Sequence, residues 1–200
     1  MSIHQRNDDN KPYTKEDSYK NLDRVNFWIS NCDSKASFVL AFLGIFIGVF
    51  FTSDFIYDHL KILGNTLLRF DWNSLKTFVA VLSLAFLVLF IFTFIKASKN
   101  TLNALTASIN TDEFSHMGVK TDSILHFASI KMKGFNTHLQ EIENLKDEKN
   151  LIHDIESQVA INSVIAFRKI SNYKDGVAYS KEALFYFVLF LLFSILLKVF

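Results

Sequence analysis

A mainly α-helical membrane protein, with three transmembrane helices and a cytoplasmic, mostly helical domain, is the fold this sequence predicts. Three observations carry it. Thr77–Ile95 holds nineteen consecutive residues without Asp, Glu, Lys, Arg, Pro or Gly. As a helix it rises roughly 28 Å, about the thickness of a bilayer's hydrocarbon core. Two further apolar runs, Phe38–Ser53 and Ala183–Leu197, lie before and after it. Half of the 200 residues are hydrophobic and 22 are Phe. A soluble fold would have to bury all three runs with too little chain left to cover them.

Residues 1–18 are polar, mix both charges and hold the single proline, Pro12. They read as a flexible cytoplasmic tail rather than a secretory leader. Residues 19–35 form an amphipathic pre-membrane helix, with Leu22, Val25, Trp28 and Ile29 at three- and four-residue spacing. Trp28 suits headgroup depth, where its ring is apolar and its N–H stays wet. Asp33 and Lys35 then stand immediately before the first span. They are either a cap followed by a snorkelling lysine, or a polar contact to the soluble domain or a neighbouring subunit.

Residues 36–97 hold two transmembrane helices joined by a short external loop. Gly44 and Gly48 make a small-xxx-small step that permits close helix approach. Asp54–Lys76 reads as a loop whose apolar residues lie along the interface, with Trp72 as a second aromatic anchor.

Residues 98–182 form the cytoplasmic domain. Ser98–Asn110 continues the second span as a helix and Thr111–Gly118 breaks it. Ile124–Ile130 is a short strand or a buried helical turn, and Gly134 separates it from a helix over Phe135–Leu145. A further helix runs from about Asn150 to Ile170 and continues into the third transmembrane helix, residues 183–200, with a bend at Gly176. Nine basic residues flank the spans on the side of the tail and the long segment, against four on the other. This bias places the N-terminus and 98–182 in the cytoplasm.

Several function classes fall away. The net charge of +1 offers no general attraction for DNA or RNA, and the single Cys32 excludes an intrachain disulfide. A phosphate-binding glycine loop, an HExxH pair and a G-x-S-x-G turn are all missing. His153–Asp154 invites comparison with metal phosphohydrolases. However, the spacing of His116, His126 and His138 puts no two on one helical face. The expectation is no metal, no cofactor and no enzyme activity.

Asn26–Ser37, NFWISNCDSKAS, followed at once by a membrane helix, resembles the opening of the Pycsar effector transmembrane family. That family shows an aspartate, one residue, then lysine-alanine at the membrane entrance, and Asp33, Lys35 and Ala36 fall on those positions. ILHFASI, FNTHLQEI and DIESQVAINSVIAFRK resemble its later segments, so the likeness covers about Tyr19 to the C-terminus. Asp54–Lys76 matches no family feature. The resemblance implies a bacterial inner-membrane effector of anti-phage defence. Its signal would be a cyclic nucleotide, commonly cyclic CMP or cyclic UMP, made by a partner cyclase. Its response would be damage to the membrane and growth arrest.

A phosphodiester wants Arg, Lys or backbone N–H groups. Ten basic and eleven acidic residues in 98–182 leave no broad positive field, so any site is local. Arg168 and Lys169, with Gln158 and Asn162 on neighbouring turns, are the ligand-binding candidates. Asn162 on an apolar face can equally pair with another helix. Lys131 and Lys133 form a weaker cluster that reads as a solvated face. The expected assembly is a homo-oligomer in the lipid bilayer. The alternative function is a membrane scaffold that recruits a soluble protein without any ligand.

Overall fold

The computed structural model describes residues 12–69, 71, 74–106, 112–115, 118–144 and 147–199. Residues 1–11 of the tail, Phe70, Trp72, His116, Leu145 and Phe200 lie outside the described residues. The elements are α1 (Lys15–Thr52), α2 (Asp54–Leu68), α3 (Leu75–Leu105), α4 (Asp112–Ser115), α5 (Phe127–Lys133), α6 (Phe135–Asn144) and α7 (Glu148–Val199). Among the described residues there is no strand. α1, α3 and α7 are each long and apolar enough to cross a membrane. The chain divides into two units, residues 1–30 with 108–167 and residues 31–107 with 168–200.

The second unit contains the apolar runs. Its α1 segment ends at Ser53, the N-cap of α2, whose extended backbone (φ −82°, ψ 113°) breaks the helical path. Asp54 in the first turn of α2 complements the helix dipole there. The first part of the segment read as a loop, Asp54–Lys76, is therefore a 15-residue helix with Ile56, His59 and Leu63 buried. Leu63 packs with Val79 and Ala80 of α3 and Leu197 of α7.

α3 and α7 run antiparallel in fixed register. Thr101 meets Gly176, the Phe90 and Phe187 rings lie 5.3 Å apart, and Ser83 Oγ is 3.2 Å from Ser194 Oγ. Each step back along α3 is matched by an equal step forward along α7. Phe46 and Phe50 of α1 close on Phe187 at 4.9 Å and 5.9 Å, making a four-phenylalanine centre with Phe90. In lipid, where apolar burial gives little drive, such close packing and edge-to-face ring geometry hold helices together.

Only 17%, 33% and 22% of the most apolar windows of α1, α3 and α7 are buried within the chain. Phe38, Ile45, Phe51, Phe78 and Ile95 all point outward. A soluble fold would have covered these side chains; a bilayer solvates them. Gly176, expected as a bend, lies within helix α7 and packs against α3. A Cβ there would collide with Thr101 Oγ1 and lie 3.1 Å from the Thr101 backbone nitrogen. The glycine is where α3 passes.

In the first unit, Phe114, Ile161 and Ile165 form a small core with Ile29, Val119 and Val164 packed on it. Ile124–Ile130 resolves as a turn leading into α5. α5 stops at Gly134, whose φ of 74° favours a residue without a Cβ, and α6 follows directly. Residues 118–126 are pinned to α7 by two side chains one turn apart. Ile124 N–H donates to Asp154 Oδ2 (3.1 Å), and Lys120 N–H donates to Ser157 Oγ (3.0 Å). Lys133 Nζ joins α5 to α6 by donating to Glu141 Oε2 at 2.7 Å, and also donates to the Asp122 carbonyl at 2.6 Å. It is thus part of a staple rather than a solvated face.

Candidate functional site

α7 brings Lys169 into the interior of the second unit, where the residue is 4% exposed. An ammonium there is costly unless each proton finds an acceptor. It finds three. Nζ donates to Asp33 Oδ1 of α1 at 2.6 Å and to the Ala104 and Leu105 carbonyls of α3, each at 3.0 Å.

Those carbonyls have no intrahelical partner because α3 ends at Leu105, with Thr106 extended (φ −75°, ψ 123°). Thr106 N–H returns to the Leu102 carbonyl. The positive charge also faces the negative end of the α3 dipole. One side chain thereby ties together three helices that the sequence places far apart.

The Asp33 side chain is 39% exposed, so one end of the tie reaches solvent. Ala36, three residues on, is fully buried, whereas Lys35 is exposed. The entrance motif therefore divides by helical facing. Its aspartate and alanine turn inward, and its lysine turns outward. Of the two readings given for Asp33, the polar contact is the one present.

The remaining ligand candidates fall elsewhere. Asn162 Nδ2 donates to Asn26 Oδ1 at 2.9 Å within the first unit, the helix pairing anticipated as the alternative to a ligand. Gln158 is 5% exposed in the same unit. Arg168 is exposed in the second unit, on a different face of α7 from its neighbour Lys169.

Asp154, half of the His153–Asp154 pair, serves packing within the first unit. It is fully buried and its Oδ1 lies 3.7 Å from Lys120 Nζ, while His153 is exposed. Among the described residues no group of three or more His, Cys, Asp or Glu is placed to hold a metal. The functional atoms that sequence reasoning missed are the two α3 carbonyls, which no side-chain pattern marks.

The molecule is thus defined as a three-span helical membrane protein whose spans are joined at one end by a buried lysine. The family model described as "Pycsar effector protein domain" matches residues 17–199. The chain belongs to the Pycsar effector family, and with it to the membrane effectors of anti-phage defence. It is 38% identical over 165 residues to the "Pycsar effector protein GmPycTM" of Gulbenkiania mobilis, covering 82% of this chain and 84% of that protein. No solved structure matches the chain.

Proposed function

We propose that this protein is an inner-membrane effector that senses a cyclic nucleotide and then impairs membrane integrity, arresting growth. The carrying observation is that the family match extends over residues 17–199, taking in the long segment between the second and third spans as well as the spans themselves.

The signal is cyclic CMP or cyclic UMP from a partner cyclase. Residues 98–182 and the N-terminus face the cytoplasm, consistent with the nine-to-four distribution of flanking basic residues. The receiving residues are Arg168 and Lys169 of the second unit, Gln158 and Asn162 belonging to the first unit where Asn162 pairs with Asn26, and the working form is a homo-oligomer. Phe-rich spans with almost no ionisable side chain suit a disruptive repacking better than a selective ion channel.

The test is calorimetric titration of the purified protein, in detergent, with a panel of cyclic mono- and oligonucleotides. Saturable binding of one member supports the reading. Silence from folded protein rejects ligand sensing and favours a scaffold for a soluble partner.

A further inference from the structure

The tie at Lys169 differs from a simple strut in three respects. First, its ammonium is divided among a carboxylate on α1 and two end-of-helix carbonyls on α3. Losing it would strip the last turn of α3 of its cap as well as breaking an ion pair. Second, Asp33 is partly open to solvent, so water can replace the lysine on that side when the pair separates. Third, Thr101, only a few residues before the capped carbonyls, packs so close to Gly176 that a Cβ there would lie 3.1 Å from the Thr101 backbone nitrogen. A change at the α3 terminus therefore meets a contact with no slack, leading straight toward Phe90 and Phe187.

We infer that the Asp33–Lys169–α3 tie is an autoinhibitory latch, which holds the spans in their resting packing and opens on signal reception. The inference rests on the proposed cyclic-nucleotide function and names its regulation. A phosphodiester has the charge needed to compete with Asp33 for the ammonium. Lysine suits the role, being a point charge on a flexible four-carbon stem rather than a rigid fork. Opening uncaps α3, loosens its last turn, and releases the α3–α7 register that sets the aromatic centre.

The latch is tested with Asp33→Asn, which keeps shape and removes charge, expressed without any cyclase. Membrane potential is read by dye and membrane protein amount is matched to wild type. The variant is expected to depolarise cells and stop growth while wild type does neither. Asp33→Glu, which retains the charge, is expected to stay quiet. Lys169→Met fills similar volume without charge and is expected to depolarise, and it decides the matter if Asp33→Asn does not accumulate.

A binding measurement separates a latch from a merely structural pair. If the closed latch withholds the competent state, purified Asp33→Asn binds cyclic CMP or cyclic UMP about tenfold tighter than wild type. Variants that accumulate normally yet remain silent without cyclase and respond to it like wild type overturn the latch, and leave the cyclic-nucleotide reading standing. A wild type indifferent to every nucleotide, beside a depolarising Asp33→Asn, rejects the nucleotide and keeps the latch.

Discussion

At the scale of single residues, two glycine environments on the transmembrane helices make opposite demands. Gly176 faces Thr101 with no room for a methyl group, whereas Gly44 and Gly48 have nothing within 4 Å of where a Cβ would stand. Gly176→Ala is therefore expected to destabilise the protein by about 1–3 kcal/mol through overpacking. Chemical unfolding in mixed micelles measures this. Thr101→Ala should recover part of the loss in the double variant. Gly44→Ala and Gly48→Ala should be neutral or stabilising within one chain, by up to about 1 kcal/mol, since alanine is the better helix former. A loss of function there, with stability intact, would have to come from a second copy of the chain. Normal function would remove that stripe from the proposed homo-oligomer.

Residue chemistry also explains which parts of the site were legible. Asp33 stands out in the sequence as a charge at the edge of lipid, and Lys169, beside Arg168, as a basic candidate for a phosphodiester. Their union was not readable, because 136 residues separate them and the other two acceptors are main-chain carbonyls. Removing one partner leaves a buried ammonium or uncapped carbonyls, so Lys169→Ala is expected to cost about 2–4 kcal/mol of unfolding free energy. A double-mutant cycle with Asp33→Asn should return a coupling well above zero. A coupling near zero would mean that the carbonyl caps alone account for the lysine.

At the scale of elements, burial follows a regular rhythm in the second unit. Ala36, Leu43 and Phe50 recur every seven residues on α1, and Ser83, Phe90, Ala97 and Ala104 do so on α3. Lys169, Ala183, Phe190 and Leu197 fall on the same seven-residue beat of α7, with Gly176 between the first two. A sustained seven-residue repeat is the signature of left-handed helix packing. One alanine inserted after Phe187 would turn Phe190 and Leu197 off this face by about 100°. The insertion is expected to abolish the response while leaving the span long enough to insert in the membrane. Retained activity would show that the register is dispensable.

α2 escaped the sequence reading for a related reason. Its buried positions Ile56, His59 and Leu63 are helically spaced, but exposed Tyr57, Leu60 and Leu68 carry apolar side chains well beyond that face. The periodicity was hidden by composition. α5 was ambiguous because a seven-residue helix is too short to establish a period.

The α5–α6 staple carries its own pH signature. Burial alone would push the Lys133 ammonium down. The hydrogen bond to Glu141 and the charges of Asp122 and Glu141 outweigh that and raise its pKa above the usual 10.5. A cation whose folded pKa is raised stabilises the fold fully below its unfolded value, and loses that contribution only as pH climbs through the raised one. Amide protection over residues 127–144 is therefore expected to be insensitive to Lys133 titration from neutrality up to about pH 10. Lys133→Met should lower that protection already at pH 7. Equal protection in the variant would show that the staple contributes nothing.

At the scale of the whole molecule, the sequence and the structure agree on three helices able to cross a membrane, because long uncharged runs leave a helix few other solutions. The proposed activity makes a cellular prediction. With the partner cyclase active, membrane potential should collapse before growth stops. Growth arrest at an unchanged potential would sink membrane damage as the mechanism and leave only the defence role.

The narrow crossing at Gly176 has a genetic consequence as well. Every other amino acid carries a Cβ, so every missense change at that codon places an atom where Thr101 already stands. On the proposed function, an effector that damages its own host's membrane selects for its own inactivation whenever it is switched on. Survivors sequenced after forced activation should therefore carry substitutions at codon 176 more often than at codons 44 or 48, although all three encode glycine. On that reading, a position where every single substitution meets the facing helix is a short mutational route out of the bacterium's own defence.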